Sequence, residues 1–221
     1  MDYQHKIKYL FMGTGAVLSL FLAGCTQQEP PRAEAVSSSA PATAQRATTE
    51  GESTPIGGRF ILRSHTGKVL TDQDFQGQFL LINFGYATCP DVCPTTLVKL
   101  AEVDHLLGDQ AEQVQVLFIS VDPDRDTAQV LEDYVTSFDP AFIGLTGTKA
   151  AIDSVTGKYH VKYAFVGRQD DKDMDYTVDH TSSVFFMGPN GEYIGRFSYS
   201  TPAEAIAKKV SETIKAAKTP A

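Results

Sequence analysis

The sequence predicts an α/β fold with a mixed central sheet and helices on both faces. Apolar runs at 79–86 and 114–121 are typical of strands that are buried on both sides. Each run leads into a segment with helical character, so strands and helices alternate along this part of the chain. A Gly-Pro-Asn-Gly turn at 188–191 lies between two further apolar segments, which predicts an antiparallel hairpin near the C-terminus.

The remaining elements follow in order. Residues 59–70 predict an N-terminal hairpin that turns at 65–68. Beyond the two long apolar runs, strands are predicted at 142–146, 161–166, 181–187 and 192–198, and helices at 95–107, 127–137, 149–160 and 202–217. Thr201 and Glu204 predict a capping box for the last helix, with Pro202 at its first helical position.

Composition excludes one class of function. The chain has 221 residues, a formal net charge of −8 and no basic stripe, which argues against binding of nucleic acid. The length is sufficient for one domain with a sizeable core, which we place at 56–217. Three cysteines are present, an odd number that needs an explanation.

The N-terminal segment supplies that explanation. Residues 1–24 combine two early lysines with an apolar run at 9–22, which is shorter than the roughly 20 residues that a membrane span needs. The run ends in Leu-Ala-Gly-Cys and resembles a bacterial lipobox, which predicts a lipoprotein signal peptide and a lipid on Cys25. An uncleaved membrane anchor is the alternative. Either predicts a domain attached to a membrane of the cell envelope, on its periplasmic or extracytoplasmic side.

Residues 26–55 are rich in Ala, Thr, Ser, Pro, Gln and Glu. This composition cannot bury enough apolar surface to fold, so we predict a disordered tether with a reach of roughly 30 Å. A tether of this kind lets an anchored domain search for a partner in the same membrane, or serves as a passive spacer.

The chemistry is predicted to lie at Cys89 and Cys93, between the first long strand and its helix. The helix dipole favours thiolates at this position. If the segment is helical, the spacing of four residues places both sulfurs on one face. Three interpretations remain open from the residues alone: a structural disulfide, a redox couple, or two soft metal ligands.

The order of elements, with two thiols at a helix start, looks like the thioredoxin fold. More specifically, three motifs together resemble the Sco/SenC family: Phe-Gly-Tyr-Ala-Thr-Cys-Pro-Asp-Val-Cys-Pro at 84–94, Ile-Ser-Val-Asp-Pro-Asp-Arg-Asp-Thr at 119–127 and Val-Asp-His-Thr at 178–181. The resemblance covers about 56–215. It implies a copper-binding, thioredoxin-like protein that assists assembly of the binuclear copper site of cytochrome c oxidase. The copper ligands of that family correspond to Cys89, Cys93 and His180.

Two thiolates and one neutral imidazole suit three-coordinate Cu(I), and with an added oxygen or water they can also hold Cu(II). A structural zinc site would require a fourth ligand that the sequence does not identify. Asp179 is a candidate to orient His180, and Asp124 a candidate to lie near the site. Met174, in the acidic segment 170–175, is a candidate weak thioether donor.

The predicted function is therefore a membrane-tethered copper metallochaperone. Its expected partners are oxidase subunit II or another copper-site protein, with a periplasmic copper donor upstream. The enzymatic alternative is a thiol-disulfide oxidoreductase that reduces the cysteines of the receiving partner, with Cys89 as the nucleophile. A redox or copper sensor is a third interpretation.

Overall fold

A computed structural model describes residues 55–170 and 174–218. The predicted signal peptide, Cys25 and the predicted tether up to residue 54 lie outside the described residues. Within the described part of the chain, no helix combines the length and the apolar character needed to cross a membrane.

The described elements are nine strands and four α-helices. The strands are β1 Ile61–Ser64, β2 Val69–Thr71, β3 Phe79–Gly85, β4 Val114–Ser120, β5 Ile143–Thr146, β6 Tyr163–Val166, β7 Thr177–His180, β8 Val184–Met187 and β9 Tyr193–Phe197. The helices are α1 Val92–Leu107, α2 Ala128–Thr136, α3 Lys149–Lys158 and α4 Ala203–Ala217. Short 3-10 helices at Asp72–Phe75 and Gly108–Gln113 precede β3 and β4.

The central sheet is mixed, as predicted. In the described residues it contains seven strands in the order β2-β1-β5-β4-β3-β8-β9. Strands β3, β4 and β5 are parallel, whereas β8 pairs antiparallel with β3 and β1 pairs antiparallel with β5. The predicted N-terminal hairpin is β1 and β2, and it extends the sheet beyond β5. Strands β6 and β7 form a separate two-stranded ribbon.

Helices cover both faces of the sheet. Every residue of β3 is buried, and because side chains alternate across a strand, both of its faces must be covered. On one face, Gly85 lies against Cys93 of α1. On the other, the ring of Phe84 packs against Tyr159, which follows α3, with 5.4 Å between the ring centroids.

Helix α1, which carries Cys93, is supported by α4. Contacts between these two helices are extensive, and α4 turns a fully buried stripe of Ile206, Val210 and Ile214 toward the core. The spacing of these residues keeps them on one helical face. The site-bearing helix is therefore held between the sheet and the C-terminal helix.

Three differences from prediction concern the ends of elements near the cysteines, near His180 and at the last helix. Helix α1 begins at Val92 rather than 95, because Pro94 falls in the first turn, where a missing N–H removes no helical hydrogen bond. Pro202 is the N-cap of α4 and has extended dihedral angles, so the capping box predicted at 201–204 is absent. The strand predicted at 181–187 begins only at Val184, and His180 instead ends β7.

Candidate metal centre

The fold brings Cys89, Cys93 and His180 together from two distant parts of the chain. One ligand atom from each residue lies within 4.8 Å of the other two, and the distance from Cys93 Sγ to His180 Nε2 is 3.3 Å. Both cysteines are free thiols. These are the three side chains that the sequence motifs selected, and the structure gathers them at the end of β3.

The two cysteines reach this point by different local structures. Cys93 lies in the first turn of α1, and its sulfur occupies space left by Gly85, where an added Cβ would come within 2.6 Å of Sγ. Cys89 precedes the helix, in a turn where its backbone N–H donates to the carbonyl of Tyr86 at 3.2 Å. The condition for one shared helical face is therefore not met, since Cys89 lies before α1: a turn, not a helix, directs Cys89 toward Cys93.

The imidazole of His180 is oriented by backbone rather than by Asp179. Nδ1 lies 3.1 Å from the carbonyl oxygen of Thr181, which can only accept, so the proton belongs on Nδ1 and the lone pair of Nε2 faces Cys93. The carbonyl thus takes the place that we expected Asp179 to fill, and Asp179 is exposed. The ring of Tyr86 meets the imidazole edge-on, with centroids 5.9 Å apart.

Burial determines the protonation of the free site. Cys93 is 1% exposed, and burial raises the pKa of its thiol well above the usual range. Burial also lowers the pKa of His180 and so favours the neutral imidazole that can coordinate a metal. The thiolate expected from the helix dipole is therefore not favoured at Cys93, because desolvation of the charge outweighs the dipole. A bound cation would supply the missing stabilisation.

A buried carboxylate supports the turn that carries Cys89. Asp126 is fully buried and accepts hydrogen bonds from the backbone N–H of Ala87 at 3.1 Å and from the hydroxyl of Ser120 at 2.6 Å. Burial raises the pKa of Asp126 to about 6. The N-cap of α2 is the neighbouring Thr127, whose side chain accepts from the N–H of Val130.

A second buried carboxylate, Asp122, forms a network that the sequence did not reveal. It pairs with Arg125 and accepts a hydrogen bond from the hydroxyl of Tyr176 at 2.7 Å. The guanidinium of Arg125 lies over the rings of Tyr176 and Tyr86, at 3.7 Å and 5.5 Å from their centroids. One sequence feature could have indicated this network: the charged segment 122–127 follows β4, at the same edge of the sheet as the cysteines.

Two weaker candidates have other contacts. Asp124 forms an ion pair with Arg168 at 2.8 Å, and its carboxylate is half exposed. Met174 is 50% exposed, and its carbonyl accepts a hydrogen bond from Arg125. Neither contact directs these side chains to the three candidate ligands.

The candidate centre is open to solvent beside Cys89 and His180. A surface cavity is lined by Cys89 and His180, together with Pro90, Val92 and Val178, whereas Cys93 lies behind them. A ligand from solution would therefore meet Cys89 and His180 first. Two sulfurs and one nitrogen in a half-buried pocket suit a soft cation of low coordination number.

The fold and the site define the class: a thioredoxin-like α/β protein with two thiols and an imidazole arranged as a candidate site for a soft metal. The family model described as SCO1/SenC matches residues 48–215, and the chain belongs to that family.

The chain is also similar to individual Sco proteins, both in sequence and in structure. The chain is 40% identical over 158 residues to the human mitochondrial SCO1 homolog. The matched region covers 71% of this chain and 52% of the relative. The chain therefore spans about half the length of that protein. It is similar to the structure of Bradyrhizobium japonicum ScoI with copper bound, at 41% identity and a TM-score of 0.65, covering 71% of this chain and 98% of the other. It is also similar to the structure of Arabidopsis thaliana ScoI with copper bound, at 34% identity and a TM-score of 0.67, and this match covers 73% of this chain and 99% of the other.

Proposed function

We propose that this protein is a copper chaperone that binds copper through Cys89, Cys93 and His180 and helps assemble the binuclear copper centre of cytochrome c oxidase. The observation that carries the proposal is the convergence of the three ligand atoms within 4.8 Å. Family membership and the copper-bound structures of similar Sco proteins support the choice of metal.

The donor set fits Cu(I) as cargo. Two thiolates and one imidazole satisfy a three-coordinate soft ion, and binding releases the proton of each thiol. Oxidation of Cys89 and Cys93 to a disulfide would remove both sulfur ligands, so the redox state of the pair controls loading. The same donors, with water or an oxygen ligand, would also hold Cu(II).

Delivery follows from the open side of the site. A partner thiolate enters beside Cys89 and His180, forms a bond to copper, and displaces one of these ligands while Cys93 still holds the ion. Repeated exchange moves copper without release of a free ion. Oxidase subunit II is the proposed recipient, and a periplasmic carrier is the proposed donor.

The alternative is a thiol-disulfide oxidoreductase. Its supporting observation is the pair of free thiols at the strand–helix junction of a thioredoxin-like fold. In that case Cys89, at 8% exposure, is the attacking thiol and Cys93, at 1%, the resolving one. This reaction has no need for an imidazole beside the sulfurs.

Replacement of His180 separates the two functions. We expect His180→Ala to lower copper affinity and abolish support of oxidase assembly, while reduction of a dithiol partner is largely kept. His105→Ala, an exposed histidine in the last turn of α1, is the matched control and should change neither. Copper affinity that is unchanged in His180→Ala would contradict the chaperone proposal and leave the reductase.

Membrane attachment is part of the proposal. Lipidation at Cys25 after removal of residues 1–24, followed by a tether at 26–55, would hold the domain at the extracytoplasmic face of a membrane. An anchored domain on a flexible tether can search for an oxidase subunit in the same membrane without a long diffusion path.

A further inference from the structure

The guanidinium of Arg125 joins three segments around the candidate metal centre. Arg125 itself belongs to the loop after β4. Its Nη1 donates to the carbonyls of Met174 and Tyr176, at 3.2 Å and 2.8 Å, in the segment that leads into β7. It also lies over the ring of Tyr86, which precedes the turn of Cys89. One side chain thus contacts both of the segments that supply ligands.

The side chain of Arg125 is largely buried, and several contacts fix its orientation. The side chain of Arg125 is 11% exposed, and its ion-pair partner Asp122 is fully buried. Asp122 also receives the hydroxyl of Tyr176, so the arginine, the acid and the tyrosine each contact the other two. A planar guanidinium can donate to a carboxylate and to carbonyls at once while stacking on a ring, which a lysine cannot do.

Strand β7, which carries His180, needs side-chain contacts to hold it against the rest of the domain. Strands β6 and β7 form a ribbon that shares no backbone ladder with the seven-stranded sheet in the described residues. A two-stranded ribbon is marginally stable by itself. Tyr176 directly precedes β7, and His180 is the last residue of that strand. The position of Tyr176, four residues before His180, therefore contributes to where the imidazole lies relative to the cysteines.

We propose that Arg125 is a positioning residue for the metal centre: it fixes the ribbon of β6 and β7 against the cysteine turn, so that His180 faces Cys93. The inference rests on the proposed function, since it concerns the same three ligands, and it adds to it a residue that contacts none of the ligand atoms. The loss of Arg125 would leave both sulfurs in place and displace the nitrogen.

The test compares Arg125→Met, Arg125→Lys and Tyr176→Phe with the wild type, all loaded with Cu(II) or Cu(I). Affinity is measured by competition with a chelator, and the histidine nitrogen is followed by its hyperfine coupling in the electron paramagnetic resonance spectrum of the Cu(II) form. Arg196→Met, which removes an exposed arginine from β9, is the matched control for charge.

We expect Arg125→Met to weaken copper binding by about 10-fold or more and to reduce the nitrogen coupling, while sulfur coordination remains. Arg125→Lys keeps the charge beside Asp122 but not the planar fork, so it should fold and still bind more weakly than the wild type. Tyr176→Phe keeps the ring under Arg125 and removes only the hydroxyl, so its loss should be smaller. Arg196→Met should match the wild type.

Wild-type affinity and nitrogen coupling in both Arg125 variants would overturn the inference. If Arg125→Met does not fold, Arg125→Lys and Tyr176→Phe decide the question by the same measurements. The wild type provides the separate check on the proposed function: if it binds no copper through sulfur and nitrogen, the chaperone proposal fails, whatever the variants do.

Discussion

At the scale of single residues, the candidate centre depends on how closely backbone and side chains approach one another. Gly85 is the clearest case, since its missing side chain leaves the space in which the sulfur of Cys93 lies. The orientation of His180 likewise depends on one carbonyl, that of Thr181. Small changes at these positions should alter metal binding without any change in the ligands.

Gly85→Ala tests how closely the backbone of β3 and the sulfur of Cys93 pack together. The new Cβ would lie 2.6 Å from Cys93 Sγ and 2.8 Å from the ring of Phe118, so one of them must move. We expect a loss of about 1–3 kcal/mol in the free energy of unfolding, as for other overpacked cores, and weaker copper binding. Gly157→Ala in α3, where an added Cβ meets nothing within 4 Å, is the control. Equal behaviour of the two variants in urea denaturation and copper titration would contradict this account of Gly85.

Asp126 gives a prediction on pH. Burial raises the pKa of Asp126 to about 6, from an ordinary value of 3.8, so between about pH 4 and 6 the folded state holds a proton that the unfolded state has lost. The contribution of Asp126 to the free energy of unfolding should therefore fall as the pH rises through this window. The wild-type minus Asp126→Asn difference, measured by urea denaturation at several pH values, reports that contribution. The exposed Asp109→Asn serves as the control, and a flat difference would show that Asp126 does not titrate in this range.

At the scale of elements, the centre lies between a firmly packed part and a weakly supported part. Helix α1 is held by the sheet and by the buried stripe of α4. The ribbon of β6 and β7 has its own two-stranded sheet and depends on side-chain contacts. Metal binding at the proposed ligands would join the two parts, because the cysteines belong to the first and His180 to the second.

Copper should therefore stabilise the ribbon more than the sheet. We expect slower exchange of the backbone amides of β6 and β7 after copper loading, with little change in β4 at the centre of the sheet. Hydrogen exchange on the free and loaded protein measures this directly. His180→Ala, which keeps both sulfurs, should bind copper without protecting the ribbon. Equal protection of ribbon and sheet would show that the ribbon is as firmly held without metal.

The packing of α4 should affect stability more than coordination. Ile206 is 1% exposed, and its replacement by Ala should cost about 2–5 kcal/mol through lost burial and a residual cavity. The absorption spectrum of the copper-loaded variant should match that of the wild type as long as the protein is folded. Lys209→Ala, on the exposed face of the same helix, is the control. A changed spectrum in folded Ile206→Ala would mean that α4 also determines ligand geometry.

At the scale of the whole molecule, some features were predictable because they depend on local pattern. The apolar run of β3, the turn at 188–191 and the alternating order of elements each have a short-range cause, and the structure confirms them. The grouping of Cys89, Cys93 and His180 was predictable only because their motifs resemble those of a family. Chemistry alone left a disulfide, a redox couple and a metal site open.

What could not be predicted depends on tertiary contacts. Arg125 and Tyr176 are 51 positions apart, and no local sequence pattern predicts that the guanidinium stacks on the ring. The protonation of Cys93 was mispredicted because the helix dipole can be inferred from sequence, whereas the depth of burial cannot. Strand β7, which ends at His180, was not predicted, because it forms by pairing with β6 and that pairing is not visible in the local sequence.

The proposed anchor gives a prediction for the full chain. When the protein is produced in a bacterial host, it should fractionate with membranes, and mass spectrometry should find a lipid on Cys25. Cys25→Ser should release it from that fraction while copper binding by the domain is unchanged, since Cys25 is not one of the proposed ligands. A Cys25→Ser protein that remains in the membrane would favour an uncleaved anchor instead.

The central claim is that two sulfurs and one nitrogen, from Cys89, Cys93 and His180, hold one copper ion. X-ray absorption spectroscopy of the Cu(I)-loaded protein tests it most directly, because it counts sulfur and nitrogen neighbours. We predict two sulfurs and one nitrogen, with the nitrogen lost in His180→Ala and the sulfurs lost in the double Cys→Ser variant. An ion with no sulfur neighbours, or a spectrum identical in wild type and His180→Ala, would contradict it.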